Sequence, residues 1–386
     1  MEQFYQQIHS YIDARRQEML DLWRDLVNTE SGPAQKEGVD AVNALLRKEM
    51  VACGLSAQTI PMEKVGDILV AQWDNGSQLP PILLIGHMDT VFKPGAATEN
   101  PFRIDAEGKV HGPGCLDMKG GVVVALYAVK ALQSVGYNKH PIMFVLAGDE
   151  ETLHQNSNAQ EVMAQIMAGG CAAFNFETGY PDDGVVVGRK GGSVVVFDIE
   201  GVAAHSGIAP EKGRSAIAEA AHKILAIQAL NDIPRGKLIN CGLVSGGIGE
   251  NTIPGACSIR CGLRFPTVAI KEELMADCKA IADTVNIEGT KTTMRVEMVM
   301  DPMERTEGVQ KLYELVEETA RDMGYGEVHP FEVGGASDSS VAVVAGVPTV
   351  CAMGVKGEFN HTEKEYAQME SLFTRTALAA ACIARI

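Results

Sequence analysis

Seven side chains in this sequence have the types and spacing that could carry out chemistry together. They are two histidines and five carboxylic acids, namely His87, Asp89, Asp117, Glu150, Glu151, Glu177 and His361. Imidazole and carboxylate ligands without thiolates suit Zn²⁺, Co²⁺ or Mn²⁺ in an open catalytic site. Two histidines and three carboxylates exceed the needs of one tetrahedral ion. They fit two ions roughly 3.5–4 Å apart that share one carboxylate and a water.

The first of these residues follow a short apolar run. Residues 81–85 predict a buried strand, and His87 and Asp89 come at its end. Residues two apart in an extended segment point the same way, so a strand would direct both side chains to one spot. The imidazole could then bind a metal through one nitrogen while a carboxylate holds its other N–H. This stretch alone leaves open a hydrogen-bonded structural histidine instead.

Two further predicted strands end in acids. The run 141–147 precedes the acidic residues 149–151, and the run 172–176 precedes Glu177. Consecutive acids repel one another unless a cation compensates them, although a solvated acidic turn is the alternative. Ligands of open α/β sheets bind beyond the carboxyl ends of the strands. We therefore expect these acids to meet His87 at one edge of a sheet.

Asp117 lies inside a dense cluster of glycines, at 112, 114, 120 and 121, and precedes a predicted helix over 122–134. An aspartate in this place is also typical of a helix N-cap. The glycines on both sides indicate that the backbone approaches another group closely.

The remaining pattern predicts an α/β fold with an inserted α+β domain. Helices are predicted over 4–28, 38–51, 159–167, 215–230, 270–285, 308–323 and 366–386, and strands over 56–60, 68–73, 194–200, 237–244, 257–265, 292–300 and 347–353. The order βαββαβ within 189–301 predicts a ferredoxin-like unit. We expect residues 1–188 and 302–386 to form the domain that carries the metal candidates.

Composition excludes several classes of function. The 386 residues carry 33 basic and 50 acidic side chains, a net charge of −17. This charge disfavours nucleic acid and anionic membranes as main partners, since both need a basic surface. No apolar run is long enough to span a bilayer. Nine cysteines without paired spacing, and no secretory leader at the N-terminus, predict reduced thiols in a cytoplasm.

Together these motifs resemble the co-catalytic zinc aminoacylase/carboxypeptidase family. That family includes bacterial glutamate carboxypeptidase, succinyl-diaminopimelate desuccinylase and acetylornithine deacetylase. The resemblance rests on His87-Met88-Asp89, on the run from Gly112 to Gly121, on the acids 149–151 and on His361. The motifs occur in the same order along nearly the whole chain. The resemblance implies a mixed-sheet catalytic domain and assigns the inserted domain a role as lid and dimerisation domain.

The resemblance also implies roles for individual residues. His87, Asp117 and Glu177 would bind one zinc ion, and Asp117, Glu151 and His361 would bind the other. Asp89 would orient His87. Glu150 would take a proton from the attacking water as general base and then pass it to the leaving nitrogen.

Four residues outside the metal set have implied roles toward the substrate. His205 would stabilise the oxyanion at a partner subunit's active site, with a surface-loop histidine as the alternative. Asn251, Arg264 and Gly335 would bind the substrate, the arginine through a bidentate contact with a carboxylate. A structural salt bridge is the alternative for Arg264. The chain departs from the family pattern at Pro113, where arginine is usual, and at Asn360.

These observations predict a cytoplasmic, homodimeric di-zinc amidohydrolase, with cobalt or manganese able to replace zinc. Its substrate would be a small peptide or an N-acyl amino acid, cleaved next to a free carboxylate. A deacylase of the acetylornithine or desuccinylase type remains open, as does a non-catalytic peptide- or metal-binding protein on the same scaffold.

Overall fold

The computed structural model of the chain describes residues 2–33 and 35–386. Its helices are α1 Glu2–Asp13, α2 Arg16–Val27, α3 Lys36–Ala52, α4 Ala96–Glu99, α5 Gly120–Ser134, α6 Ala159–Met167, α7 Ala216–Gln228, α8 Val268–Asp283, α9 Glu307–Asp322, α10 Ser339–Val344 and α11 Met369–Arg385. Its strands are β1 Ser56–Ile60, β2 Ile68–Trp73, β3 Ile82–His87, β4 Arg103–Ile104, β5 Lys109–His111, β6 Ile142–Ala147, β7 Ala172–Asn175, β8 Gly184–Arg189, β9 Gly191–Glu200, β10 Ala204–His205, β11 Leu238–Gly246, β12 Thr252–Ile253, β13 Ala256–Phe265, β14 Lys291–Met300, β15 His329–Val333, β16 Thr349–Val350, β17 Gly357–Glu358 and β18 Tyr366–Gln368.

The chain divides into two compact units. The first contains the chain up to Val187, Arg305–Glu332 and Ser337–Ile386, and the second contains Gly188–Glu304 and Val333–Ala336. The boundaries expected from the sequence lie between residues 188 and 189 and between residues 301 and 302. The return of Val333–Ala336 to the second unit has no counterpart in the sequence-based prediction.

The first unit is built on a mixed six-stranded sheet in the order β1-β2-β6-β3-β7-β16. Strands β6, β3, β7 and β16 are mutually parallel, whereas β1 and β2 pair antiparallel to their neighbours. Every residue of β3 is buried, as expected of a parallel strand covered on both faces. Helix α5 is buried along almost its whole length and contacts α1, α2 and α11, which explains its uniformly apolar sequence.

The second unit is an antiparallel sheet in the order β11-β13-β9-β14 with helices α7 and α8 packed against it. The chain order is β9-α7-β11-β13-α8-β14, so the connections are those of a ferredoxin-like unit. Alternate residues of β13 are buried, and Ile259, Cys261 and Leu263 lie in the core with residues of both helices. The predicted fold class, α/β with an inserted α+β domain, is confirmed.

Several predicted elements differ from the structure. The predicted helix 4–28 is two helices, because the chain turns at residues 14 and 15 between α1 and α2. The predicted helix 366–386 begins with the strand β18, and the predicted strand 347–353 shortens to β16. The strands β8 and β15, which pair with each other, were not predicted.

Two further findings concern the chain as a whole. All nine cysteines fall within the described residues, and each is a free thiol. None of the described helices combines the length and the apolar character required to cross a membrane.

Candidate metal centre

Parallel pairing of three strands brings the predicted residues to one edge of the sheet. His87 is the last residue of β3 and pairs with Ala147 at the end of β6. The short 3₁₀ turn Glu150–Thr152 follows β6 directly, and Glu177 lies two residues beyond β7, which pairs with β3 on its other side. The carboxyl ends of these strands therefore supply three of the metal-ligand candidates, as the sequence predicted.

Asp117 reaches the same edge from a buried, non-repetitive segment before α5. The segment Cys115–Lys119 precedes the helix, and no side chain caps the helix N-terminus. The alternative role of Asp117 as an N-cap is therefore wrong. The buried carboxylate of Glu365 accepts hydrogen bonds from the backbone N–H groups of Gly114, Leu116 and Asp117, at 3.0, 2.8 and 2.9 Å.

Three possible metal ligands, His87, Asp117 and Glu177, form a first donor group. Nε2 of His87 lies 3.2 Å from Oδ1 of Asp117 and 3.8 Å from Oε1 of Glu177. All three residues are buried, and their ligand atoms lie within 4.8 Å of one another. This spacing suits a single divalent cation placed among them.

Three possible metal ligands, Asp117, Glu151 and His361, form a second donor group. The distances are measured from the imidazole of His361. Its Nε2 lies 3.1 Å from Oδ2 of Asp117 and 3.2 Å from Oε2 of Glu151. The ligand atoms of these residues also lie within 4.8 Å of one another. Asp117 thus belongs to both groups and offers a different oxygen to each histidine. Asn360 donates from Nδ2 to the same Oδ2 at 3.0 Å.

Asp89 links His87 to the acidic turn. Nδ1 of His87 lies 3.1 Å from the backbone oxygen of Asp89 and 3.4 Å from its Oδ1. Donation from Nδ1 leaves the Nε2 lone pair free to face the donor group. The Asp89 carboxylate also accepts hydrogen bonds from the backbone N–H groups of Glu150 and Glu151, at 3.2 and 3.0 Å.

Glu150 lies close to His87, Glu151 and Glu177 but belongs to neither donor group. It is 6% exposed, so the alternative of a solvated acidic turn is wrong. Burial raises the pKa of its carboxyl well above the ordinary value, and the negative charge of Glu177 raises it further. A carboxyl with a raised pKa beside a group of ligands is suited to exchange protons.

The electrostatics of the cluster favour positive charge. Burial opposes protonation of His87, but hydrogen bonds with Asp117 and then Asp89 outweigh it and raise its pKa well above the usual range. Hydrogen bonds with Asp117 and Glu151 raise the pKa of His361 to about 11. Burial opposes ionisation of Asp117, yet its hydrogen bonds with His361 and His87 lower its pKa. Because carboxylates outnumber imidazoles in the cluster, its negative charge favours the binding of cations beside both histidines.

The donor set fits a pair of divalent cations. Asp117 and Glu177 are buried in one group with His87, and buried charges are stable only when they are paired or bind metal. Oε1 of Glu151 is buried and has no hydrogen-bond partner among the described residues. A metal ion would satisfy that oxygen, and the absence of a cysteine from both donor groups matches a catalytic site better than a structural one.

A cavity of about 590 Å³ adjoins the second donor group. Its lining consists of Val91, Phe92, Lys93, Pro94, Ala96, Glu99, Asn100, Pro113, His361, Thr362 and Glu363. This volume is within the range of small-molecule sites, and the mixture of apolar and polar walls suits one amino-acid-sized group.

The four candidates outside the metal set lie in the second unit. His205 is exposed on β10, and pairing of β10 with β12 sets it opposite Thr252, one residue from Asn251. Arg264 is exposed on β13 and donates from Nη1 to the backbone oxygen of Leu263. Among residues 2–33 and 35–386, no carboxylate lies within ion-pair distance of Arg264, so the structural salt bridge finds no partner. The oxygen of Gly335 accepts a hydrogen bond from Arg189 at 3.1 Å.

Sequence reasoning missed Glu365, which holds the backbone around Asp117. Its only signal is a position four residues after His361, where its carboxylate could share the same loop. Replacement of a partner of this kind typically lowers metal affinity about 10- to 100-fold.

Comparison with known proteins gives a family match and several relatives. The model of "Peptidase family M20/M25/M40" matches residues 83–385. Carboxypeptidase G2 of Pseudomonas sp. (strain RS-16) is 26% identical over 364 residues, which covers 93% of this chain and 86% of the relative. An acetylornithine deacetylase of Vibrio vulnificus (strain CMCP6) is 30% identical over 265 residues, with 64% of this chain and 67% of the relative covered.

Solved structures share the fold over nearly the whole chain. The aminopeptidase PepT of Bacillus cereus ATCC 10987 has a TM-score of 0.78 at 22% identity, with 96% of this chain and 98% of that chain covered. The YXEP protein of Bacillus subtilis, described as a dinuclear metal binding peptidase, has a TM-score of 0.68 at 16% identity, with 96% and 98% covered.

Proposed function

Because this chain belongs to peptidase family M20/M25/M40, we propose that it is a di-zinc hydrolase of carboxypeptidase type. It cleaves the amide bond of a peptide or N-acyl amino acid next to a free carboxylate. One observation carries the proposal: Asp117 offers one oxygen to the His87 group and the other to the His361 group. A carboxylate shared in this way is what a pair of neighbouring cations needs.

In this proposal His87, Asp117 and Glu177 hold one zinc ion, and Asp117, Glu151 and His361 hold the other. Cobalt or manganese could replace zinc, since the donors are nitrogen and oxygen. When bound, the two ions supply positive charge that lowers the pKa of a bound water and polarises the carbonyl of the substrate.

Glu150 handles the proton in the proposed reaction. It is buried beside both donor groups and is a member of neither. Its carboxylate takes a proton from the attacking water and then gives that proton to the leaving nitrogen. Asp89 supports this role by accepting hydrogen bonds from the backbone of Glu150 and Glu151, which fixes the turn that carries the general base.

Substrate recognition is proposed for residues of the second unit. Asn251, Arg264 and Gly335 would hold the terminal carboxylate, and the absence of an ion-pair partner for Arg264 among the described residues supports a role toward an external anion. His205 would donate a hydrogen bond to the oxyanion, from one chain of a cytoplasmic homodimer to the site of its partner. The cavity beside His361 would take the group on the other side of the scissile bond.

A deacylase of acetylornithine or desuccinylase type is the second candidate. It is favoured by the identity of 30% to the Vibrio vulnificus acetylornithine deacetylase and of 27% to a succinyl-diaminopimelate desuccinylase of Stutzerimonas stutzeri (strain A1501). Such an enzyme would have the same metal centre and the same proton carrier. The two candidates differ in the acyl group that the site accepts.

A substrate panel tests the proposal. Metal-free protein is reconstituted with zinc or cobalt and assayed with dipeptides, N-acyl glutamates and N-acetylornithine, each with a free and an amidated carboxylate. We expect hydrolysis of peptides or N-acyl amino acids that is lost on amidation. Preference for N-acetylornithine would favour the deacylase, and the absence of hydrolysis across the panel would contradict both candidates.

The Glu150→Ala variant tests the proton carrier. We expect kcat to fall by about 10²–10⁴-fold, which is the usual contribution of general acid–base catalysis. Metal content, measured by mass spectrometry of the dialysed protein, should remain near two ions per chain because Glu150 belongs to neither donor group. Loss of an ion would instead identify Glu150 as a ligand.

A further inference from the structure

A second cluster of buried charges lies in the first unit, beside the acidic turn. The two ring nitrogens of His154 each face a carboxylate oxygen: Nδ1 lies 2.7 Å from Oδ1 of Asp149, and Nε2 lies 2.8 Å from Oδ1 of Asp338. The hydroxyl of Ser157 donates to Oδ2 of Asp149 at 2.6 Å. His154, Asp149 and Asp338 are 5%, 3% and 1% exposed. None of the three belongs to either donor group.

The geometry determines the charge of His154. A neutral imidazole has one donor nitrogen and one acceptor nitrogen, whereas a carboxylate only accepts. Two carboxylates at hydrogen-bond distance from both nitrogens therefore require the imidazolium form, which donates twice. In agreement with this geometry, the carboxylates of Asp338 and Asp149 overcome the effect of burial and raise the pKa of His154 well above its usual value.

The imidazolium compensates a carboxylate that has little other support. Oδ2 of Asp338 is buried and has no hydrogen-bond partner among the described residues. His154 thus supplies the positive charge between Asp149 and Asp338, next to the proposed active centre.

The cluster also closes the backbone turn that carries Glu150. The N–H of Leu153 donates to the oxygen of Glu150 at 2.7 Å, and the N–H of His154 donates to the oxygen of Asp149 at 3.2 Å. Leu153 and His154 have φ values of 52° and 54°, a left-handed backbone conformation that residues other than glycine rarely adopt. A surrounding structure must hold such residues in place. The ring of His154 is held by its contacts with Asp149 and Asp338.

We propose that His154 is a positioning residue for Glu150. Its ring joins Asp149, the residue before Glu150, to Asp338 at the start of α10, while the Asp89 carboxylate holds the same turn from its other side. The turn is thus fixed at two places, and the side chain of Glu150 keeps one orientation toward the reacting water. This role rests on the proposed hydrolase function and adds to it a residue that does not itself contact substrate or metal.

His140 provides a matched control. It is a buried histidine, 8% exposed, just before β6, whereas the acidic turn follows the other end of that strand. Its Nδ1 lies 2.7 Å from the backbone oxygen of Pro80, and no carboxylate is in contact with its ring among the described residues. His140→Gln therefore reproduces the loss of a buried imidazole without the loss of a cation beside Glu150.

The experiment compares His154→Gln with His140→Gln in the zinc-loaded enzyme. We expect kcat to fall about 30- to 100-fold in His154→Gln, with KM changed less than about 3-fold and with two zinc ions retained. We expect His140→Gln to keep kcat within about 2-fold of the unsubstituted protein. Unchanged kcat in His154→Gln, or an equal loss in both variants, would overturn the proposal.

A second pair of variants separates position from stability. Removal of the imidazolium leaves two buried carboxylates uncompensated and can impair folding. Asp338→Asn relieves that excess charge, so His154→Gln is also measured against an Asp338→Asn background. A positioning role predicts a further loss of kcat of at least about 10-fold in the double variant, at equal melting temperature. Equal kcat in Asp338→Asn and in the double variant would show that the ring serves stability alone.

Hydrogen exchange gives a readout that is independent of turnover. In metal-free protein, peptides that cover residues 149–157 should exchange about 10-fold faster in His154→Gln than in His140→Gln. Unchanged exchange would overturn the proposed closure of the turn, whether or not the enzyme is active. Failure of the substrate panel with unsubstituted protein would instead contradict the hydrolase function, so the two failures are distinguishable.

Discussion

Replacement of Glu365 tests whether the backbone around Asp117 is held by a single buried carboxylate. Glu365 is 2% exposed and accepts three backbone N–H groups, from Gly114, Leu116 and Asp117. Alanine would leave those three donors buried without partners, at about 1–3 kcal/mol each. Burial raises the pKa of Glu365 to about 8, which shows that part of this gain is offset by the cost of burying the charge. We therefore expect Glu365→Ala to lower the free energy of unfolding by about 3–6 kcal/mol.

Glutamine at the same position should cost less. Its carbonyl oxygen can replace Oε1, which accepts from Leu116 and Asp117, but its NH₂ group would face the N–H of Gly114. Because one hydrogen bond is lost, we expect Glu365→Gln to lower the free energy of unfolding by about 1–2 kcal/mol. Glu363, an exposed residue two positions earlier, gives the control, and Glu363→Ala should change stability by less than about 0.5 kcal/mol.

Tryptophan fluorescence during urea unfolding of metal-free protein is the assay. Both tryptophans of the chain, Trp23 and Trp73, lie in the first unit, and Nε1 of Trp23 donates to the oxygen of Cys115 at 3.0 Å. The signal therefore reports on the unit and the segment that Glu365 supports. Zinc affinity, measured by competition with a chelator, should also fall about 10- to 100-fold in the alanine variant. A loss of stability below about 1 kcal/mol for alanine, or equal losses for alanine and glutamine, would refute the reasoning.

Two further predictions concern the second unit. His205→Ala should lower kcat by about 10²–10³-fold, as loss of an oxyanion donor does. If His205 acts across a dimer, mixing this variant with inactive Glu150→Ala chains should restore turnover. No recovery after subunit exchange would place the action of His205 within one chain. Hydrogen bonds with Arg235 and Lys237 lower the pKa of Glu273 from 4.5 to about 2, so its stabilising effect is present above about pH 4.5 and is lost as the pH falls through about 2. Glu273→Gln should flatten that part of the acid unfolding curve measured by circular dichroism, whereas Glu272→Gln, on the same helix, should leave the curve unchanged.

The sequence was sufficient for the residues at strand ends. Buried apolar runs before His87, before the acids 149–151 and before Glu177 predicted strands of an open α/β sheet, in which ligands lie beyond the carboxyl ends of the strands. The spacing of apolar residues in the inserted unit predicted its strands and helices. In β13, for example, alternate residues face the core. Local periodicity and simple topology carried these predictions.

The sequence was insufficient where a role depends on contacts between distant backbone atoms. Glu365 acts through N–H groups some 250 positions earlier in the chain, in a segment without regular structure that no periodicity describes. His154 and Asp338 meet only after β6 and α10 are packed, because 184 positions separate them in the chain. The strands β8 and β15 were also missed, although β8 contains the buried apolar run 185–187.

The division of Asp117 between two groups has a thermodynamic consequence. Because one carboxylate contributes an oxygen to each position, occupancy of the first changes the charge available to the second. Linkage requires the effect to be mutual: if filling the His87 position alters the dissociation constant at the His361 position by some factor, the reverse influence has the same size. Titration of the protein with zinc should therefore deviate from the binding curve expected for two independent sites.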